Sequence, residues 1–164
     1  MERTSLGGQT RLAFYNPDYK TFFEDYVLEG DQLKFTSEPL DALKICDEDP
    51  GRYPVVILFN DEPAGFFVLH GQEGVKEYWE NDQALLLRAF SVNPKYQGKG
   101  IAQKSMMQLP EFVKEHFSGV NEVILAVNCK NVAAQHVYKK TGFIDKGVRA
   151  WGRNGEMFIL HLYL

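Results

Sequence analysis

The sequence has few cysteines and no long apolar run. It contains only Cys46 and Cys129, whose separation matches neither a metal site nor a redox motif. We therefore expect a reduced, cytoplasmic setting. No N-terminal apolar segment resembles a signal peptide, and no run is long enough to span a bilayer, so we do not expect a membrane association.

The chain also lacks a basic block, internal repeats and low-complexity segments. Its formal net charge is −4, and without a cluster of lysine or arginine it is not expected to bind nucleic acid. The length is 164 residues and the hydrophobic content is 45%. These values predict one globular domain, residues 1–164, with a sizeable core.

The most informative stretch runs from Ala84 to Ala102. It begins with an apolar run that predicts a buried strand, and it continues through a turn signal at Asn93-Pro94 into a glycine-containing loop. Behind this loop, apolar residues recur at helical spacing: Ala102, Met106, Leu109, Val113 and Phe117. Glycine backbone and a helix N-terminus together favour an anion, so the loop is predicted to bind a pyrophosphate group.

Two common phosphate-binding loops do not fit this stretch. The dinucleotide fingerprint needs glycine or alanine where Gln103 stands, and the P-loop needs Gly-Lys-Ser/Thr where the chain has Gly98-Lys99-Gly100. The pattern from Gln97 to Ala102, Gln-x-x-Gly-x-Ala, instead resembles the signature loop of the GNAT superfamily of acetyl-CoA-dependent N-acetyltransferases. Taken alone, these six residues also fit a loop that only caps a helix.

A second block downstream supports the same resemblance. Glu122–Val127 predicts a strand, and a helix is predicted to begin at Asn131. The residues match the superfamily's second signature, Asn-x-x-Ala-x-x-x-Tyr-x-x-x-Gly-Phe, at Asn131, Ala134, Tyr138, Gly142 and Phe143. The resemblance covers the chain well from Tyr53 onward. It implies an α/β fold with a mixed, mostly antiparallel sheet of six to seven strands, about four flanking helices, and a splay between the central strands.

The remaining strands are predicted from apolar runs and turn signals. Gln9–Tyr15 is a candidate first strand. Tyr53–Phe59 and Ala64–His70 form a predicted hairpin around residues 60–63. A second hairpin is predicted for residues 146–151 and 156–163, because Asn154-Gly155 is a strong hairpin signal.

Two helices are predicted before the first hairpin. Asn16-Pro17 resembles a helix start, and one helical face follows with Tyr19, Phe22, Phe23, Tyr26 and Val27, closed by Glu29-Gly30-Asp31. The second helix is predicted for Ser37–Cys46. In the long helix after the glycine loop, the apolar periodicity continues past Pro110, so we expect a kink there and not a break.

The resemblance implies three groups of residues that contact acetyl-CoA. At the end of the central strand, the backbone of Phe90, Ser91 and Val92 would pair with the pantetheine amides, next to a bulge that frees an N–H for the thioester oxygen. The loop residues Gln97, Gly98, Lys99, Gly100, Ile101 and Ala102 would hold the pyrophosphate. Asn131, Ala134 and Tyr138 complete the predicted cofactor site, and no metal is expected.

Acetyl transfer also needs an acid and a route for the amine proton. By resemblance, Tyr138 would protonate the leaving thiolate, with packing on the sheet as its alternative role. Deprotonating a lysine-like amine at neutral pH costs about 4.6 kcal/mol, so a base or a water relay is expected. The central strand itself has no carboxylate. The candidates for the base lie before it and are His70, Glu77, Glu80 and Asp82.

The predicted activity is direct acetyl transfer to a primary amine in a ternary complex. The chain looks most like the bacterial spermine/spermidine acetyltransferase branch, because of Tyr96–Gly100, Arg88 and Asn154-Gly155-Glu156. A polyamine acceptor would need carboxylates, and Glu24, Asp25, Glu38 and Asp41 are available on the first two helices. The alternatives are another small amine, a protein amine, or a non-catalytic acyl-CoA-binding module. A homodimer is compatible with the sequence.

Overall fold

The computed structural model describes residues 9–164, in which one seven-stranded sheet carries helices on both faces. The strands follow in chain order: β1 Thr10–Phe14, β2 Arg52–Phe59, β3 Glu62–His70, β4 Ala84–Val92, β5 Glu122–Asn128, β6 Ile144–Gly152 and β7 Gly155–Tyr163. Their order in the sheet is β1-β2-β3-β4-β5-β7-β6. All neighbours are antiparallel except β4 and β5. The predicted mixed, mostly antiparallel sheet is confirmed.

The helices differ greatly in length. In chain order they are α1 Lys20–Glu24, α2 Gly30–Phe35, α3 Pro39–Glu48, α4 Gln72–Val75, α5 Ile101–His116 and α6 Val132–Lys140. Four of them, α2, α3, α5 and α6, have six or more residues, which agrees with the prediction. Within residues 9–164, no helix combines the length and apolar character needed to cross a membrane.

The parallel pair β4–β5 separates along its length. Ala84–Leu87 pairs with Glu122–Leu125, but the strands continue to Val92 and Asn128 without further pairing to each other. The two strands therefore diverge in their second halves, at the place where the sequence predicted a splay.

The side chains of β4 alternate between two cores. Leu85 and Leu87 belong to the core that contains Met106 of α5 and Tyr138 of α6. On the opposite face, Leu86 belongs to a smaller core with residues of β5 and β7. A third core lies on that same opposite face, where residues of β2 and β3 pack against helices α1 and α3. The sheet thus separates α5 and α6 from the helices of the first half of the chain.

Both predicted hairpins are present. Asn60 and Asp61 have φ angles of 50° and 69°, as a two-residue type I′ turn requires. In the second hairpin Gly152 pairs with Gly155, so Arg153-Asn154 forms the loop. Gly155 has a φ of 105°, the left-handed backbone that follows a type I turn in many hairpins.

The predicted first helix is partly wrong. A 3-10 turn, Pro17–Tyr19, precedes α1, and α1 already ends at Glu24. Tyr26 is nevertheless buried, because the chain after α1 folds back onto the sheet. Gly30 begins α2 and does not close a longer helix. The second predicted helix is confirmed as α3, and α5 runs through Pro110 without a break.

Candidate active site

A cleft of about 660 Å³ lies where β4 and β5 diverge. Its lining comes from both faces of the sheet. On the α5 and α6 side the lining includes Ala102, Asn131, Ala134, Val137 and Tyr138, and on the opposite side Phe35, Ser37, Ile45, Arg52, Tyr78 and Arg88. The cleft therefore passes through the sheet and can admit two molecules from opposite sides.

Strand β4 bulges at the edge of this cleft. Ser91 pairs with Phe66 and Arg88 pairs with Val68, so Ala89 and Phe90 together face a single residue of β3. Ala89 has a φ of 57°, a left-handed conformation that costs a non-glycine residue about 1–2 kcal/mol. This is the bulge that the resemblance implied, and it redirects the backbone at the point where the strands part.

The next two residues of β4 carry contacts that the sequence did not predict. The Ser91 hydroxyl lies 2.9 Å from the Tyr26 hydroxyl, in a buried pair. Val92 is bonded through its backbone to Gln32: its N–H donates to Oε1 over 3.1 Å, and its C=O accepts from Nε2 over 3.0 Å. The side chain of Gln32 thus occupies the N–H and C=O of Val92, one of the three residues whose backbone was predicted to pair with pantetheine.

The glycine loop adopts the backbone that its glycines allow. Gly98 and Gly100 have φ angles of 83° and 75°, and no atom lies within 4 Å of where a Cβ would stand on either. Gly100 is the N-cap of α5. The loop is therefore open to the solvent at the helix N-terminus, an arrangement suited to an anion.

The six predicted loop residues divide into three groups. Gln97 and Ala102 line the cleft. Gly98, Lys99 and Gly100 are exposed beside it. Ile101 is 2% exposed and belongs to the main core, so its side chain anchors α5.

Helix α6 presents Tyr138 to the cleft. The ring packs against Phe90 and Phe143, with centroid distances of 5.9 and 5.5 Å. Burial raises the pKa of the Tyr138 phenol above its ordinary value, so the hydroxyl keeps its proton at neutral pH. Asn131 begins the helix by accepting a hydrogen bond from the Ala134 N–H over 3.3 Å, and both residues line the cleft.

None of the four candidates for the base lines the cleft. Glu77 and Glu80 are exposed, and Asp82 accepts a hydrogen bond from Gln72. His70 is buried, with its Nδ1 atom 3.1 Å from Nη1 of Arg88. Since arginine only donates, Nδ1 accepts. Burial, followed by the charges of Arg52 and Arg88, lowers the pKa of His70, so this histidine is neutral.

The charged side chains that line the cleft are all basic. They are Arg52, Arg88 and Lys130, and no aspartate or glutamate of the described chain lines it. Of the carboxylates predicted to bind a polyamine, Glu24, Glu38 and Asp41 instead line a separate cavity of about 750 Å³ that also contains Lys20 and Lys44. The acidic pocket predicted for a polyamine is therefore not at the cleft.

Sequence reasoning missed the residues that the first half of the chain brings to the site. Gln32, Arg52 and Tyr78 line the cleft, although each lies outside the two signature motifs. No local pattern distinguishes these residues from ordinary surface positions. The proline- and glycine-containing turns around them also do not indicate which side chains lie next to β4 in the folded chain.

The cleft has room for a cofactor and an acceptor, and the comparison with protein families identifies the class of protein as an acyltransferase. The family model described as the Acetyltransferase (GNAT) family matches residues 15–143. The chain therefore belongs to this family. The predictions of an acyltransferase and of acetyl-CoA as its cosubstrate are confirmed.

The similar proteins of known structure share the fold of this chain but bind different acceptors. The chain is 44% identical over 154 residues to "Uncharacterized N-acetyltransferase YbbJ" of Bacillus subtilis (strain 168), covering 93% of this chain and 96% of that protein. Aminoglycoside acetyltransferase AAC(6')-Ib, with coenzyme A and kanamycin, has a TM-score of 0.75 at 17% identity, over 94% and 95% of the two chains. Spermidine N-acetyltransferase from Vibrio cholerae, with CoA and spermine, has a TM-score of 0.67 at 16% identity over the same shares.

Proposed function

We propose that this protein transfers the acetyl group of acetyl-CoA directly to a primary amine of a small molecule, in a ternary complex. The observation that carries the proposal is the cleft through the sheet, which lets a cofactor and an acceptor meet from opposite faces. Neither Cys46 nor Cys129 lines the cleft. A cysteine-bound acetyl intermediate therefore has no support in this geometry.

In this proposal the cofactor lies along β4 and the glycine loop. The pantetheine would pair with the backbone of Phe90, Ser91 and Val92, and the pyrophosphate would lie at residues 97–102. A backbone N–H at the bulge would stabilise the oxyanion, because donors fixed in advance need no reorganisation during the reaction. Asn131 and Ala134 would form the opposite wall. These assignments rest on the family resemblance and on the position of the residues at the cleft.

Tyr138 is proposed as the acid. The amine nitrogen attacks the thioester carbon, and the C–S bond breaks as the tetrahedral intermediate collapses. The sulfur then takes its proton from the Tyr138 hydroxyl. The amine loses a proton to water, and a proton from water restores the phenol. A phenol whose pKa is raised by burial remains protonated over the physiological range, as an acid must.

The acceptor is proposed only as a small primary amine. The fold similarity to a spermidine acetyltransferase supports a polyamine, and the basic lining of the cleft weighs against it. The similarity to an aminoglycoside acetyltransferase is of the same order. A protein amine and a non-catalytic module are the remaining alternatives.

The direct test is the release of coenzyme A thiol from acetyl-CoA. The purified protein is assayed with a panel of polyamines, aminoglycosides and amino acids, and the affinity for acetyl-CoA is measured in parallel by calorimetry. Turnover of at least one amine supports the proposal. Tight binding of acetyl-CoA without turnover of any amine would identify the non-catalytic module instead.

A further inference from the structure

Two arginines lie on the acceptor side of the cleft, opposite α5 and α6. Arg88 immediately precedes the bulge of β4, and Arg52 begins β2, two strands away. Both line the cleft. Because Arg88 directly precedes the bulge and lines the same cleft, a group bound to it would share the cleft with the proposed site of the reaction.

The charge of Arg88 is not matched within the cleft. Its guanidinium is half-buried and is hydrogen-bonded, within the described residues, to the neutral His70. No described carboxylate forms a hydrogen bond with it, and the other charged residues of the cleft are cations. Arg88 is thus a half-buried cation of the cleft to which no described carboxylate is hydrogen-bonded, and a bound anion can pair with it.

The nearest carboxylates, Glu77 and Asp49, act on the charge of Arg88 from a distance and do not form a hydrogen bond with it. Asp49 accepts hydrogen bonds from the Gly51 N–H, at 2.9 Å, and from Arg52 Nε, at 3.1 Å. Nε2 of His70 lies 3.3 Å from the same carboxylate, without an aligned hydrogen bond. Asp49 is thereby engaged by Arg52, and His70 separates it from Arg88. Gly74 packs closely against the ring of His70, since a Cβ added at this glycine would lie 2.3 Å from Nδ1.

We propose that the acceptor carries an anionic group, a carboxylate in the simplest case, next to the amine that is acetylated, and that Arg88 binds this group with Arg52 beside it. The proposal rests on the proposed acetyltransferase function and names its substrate class. A planar guanidinium pairs with a carboxylate through two parallel hydrogen bonds. An amino acid or a related amino-carboxylate has this chemistry, whereas a polyamine does not.

The test compares amino acids with their amides. Each pair has the same amine and nearly the same shape, but the amide lacks the negative charge. Its amine is also the less basic of the two, so more of it is neutral at a given pH. A preference for the acid therefore cannot come from amine reactivity. O-phosphoethanolamine and ethanolamine form a separate pair that distinguishes a phosphate from a carboxylate.

We expect kcat/KM for the best amino acid to exceed that of its amide by at least about 25-fold, the ratio that corresponds to roughly 2 kcal/mol for a desolvated charge pair. Arg88→Gln should remove this preference, by lowering kcat/KM for the acid while that for the amide changes little. The affinity for acetyl-CoA should be retained. Arg11→Gln is the matched control, since Arg11 is an exposed residue of β1 that pairs with Asp61.

A kcat/KM for the amide or for a polyamine equal to that for the acid would overturn the inference while leaving the acetyltransferase proposal intact. Equal losses for acid and amide in Arg88→Gln would also overturn it, because they indicate a structural effect. If no amine is acetylated, the proposed function fails and the subsite is tested by binding. Calorimetric titration of the amino acid into the protein–CoA complex should then show binding that Arg88→Gln abolishes, and equal binding of acid and amide would refute the subsite.

Discussion

Gln32 hydrogen-bonds Val92 as a neighbouring strand would. The two bonds, of 3.0 and 3.1 Å, engage both backbone groups of Val92 from a residue 60 positions earlier in the chain. In the proposed function, the pantetheine amides need the same two backbone groups. Helix α2 therefore carries a side chain that competes with the cofactor for β4.

Gln32→Ala should raise the affinity for acetyl-CoA. Each intramolecular hydrogen bond contributes about 0.5–1.5 kcal/mol net, so removing two competing bonds should lower the Kd by at least about fivefold. Calorimetric titration of acetyl-CoA measures the change. Gln108→Ala is the control, because Gln108 bonds the Thr10 carbonyl on β1, away from the cleft. A weaker affinity in Gln32→Ala would show that Gln32 assists the cofactor.

Gly100→Val should severely weaken acetyl-CoA binding. The left-handed backbone at Gly100, with a φ of 75°, strongly disfavours a β-branched residue, so the loop and the start of α5 must change conformation. Gly119→Val is a matched control. Gly119 has a φ of 84° and equally open surroundings, but it follows the C-terminal end of α5, whereas Gly100 is the N-cap of that helix.

Both glycine variants should lose similar stability in thermal unfolding. Calorimetry should separate them, with the loss of affinity confined to Gly100→Val. Equal affinity for acetyl-CoA in the two variants would contradict the role of the loop.

Tyr138→Phe should lower kcat by at least about a hundredfold, the smaller end of typical acid–base contributions, with little change in acetyl-CoA affinity. Because burial raises the pKa of Tyr138, the wild-type rate should show no decline from this phenol between about pH 6 and about pH 10. Steady-state kinetics across that range test both statements. Tyr53→Phe, at an exposed residue of β2, is the control. A Tyr138→Phe variant with wild-type kcat would leave the tyrosine with a packing role.

The buried His70 predicts a pH dependence of stability. Its pKa is lowered from 6.5 in the folded protein, chiefly by burial and then by Arg52 and Arg88. At pH values between that lowered pKa and 6.5, His70 binds more protons in the unfolded chain than in the folded protein. The free energy of unfolding therefore rises with pH in this range. Acidification through pH 6.5 should therefore destabilise the wild type.

His70→Gln keeps an acceptor for Arg88 but cannot titrate. Its free energy of unfolding should depend less on pH than that of the wild type in urea titrations between about pH 8 and about pH 5.5. Parallel pH dependences in the two proteins would show that His70 does not carry the effect.

The sequence predicted those parts of the site that depend on local pattern. β4, the glycine loop and the start of α6 at Asn131 are consecutive segments, and each has a short signal such as an apolar run, a glycine or an N-cap. The bulge was expected from the resemblance and is present at Ala89. The side of the cleft on which the cofactor is proposed to bind could therefore be located from the sequence.

The opposite side of the cleft, where the acceptor is proposed to bind, could not be predicted in the same way. Tyr26 and Gln32 reach Ser91 and Val92 across 65 and 60 residues, and no local pattern records such contacts. The continuous aromatic periodicity also predicted a single helix from Pro17, although the chain leaves the helix at Glu24. The charge of the cleft depends on which side chains of each strand face it. That Arg52 and Arg88 line the same cleft is therefore seen only in the folded structure.

The short ladder between β4 and β5 closes one end of the cleft. Buried Glu122 lies there, with Oε1 accepting from Trp79 and Asn81 and Oε2 located 2.7 Å from Nδ1 of His161. This carboxylate thereby joins the chain before β4 to β5 and β7. The sheet consequently consists of two leaves, β1–β4 and β5–β7, that are paired at one end and separate at the other. Glu122 joins the two leaves at their paired end, although it does not line the cleft.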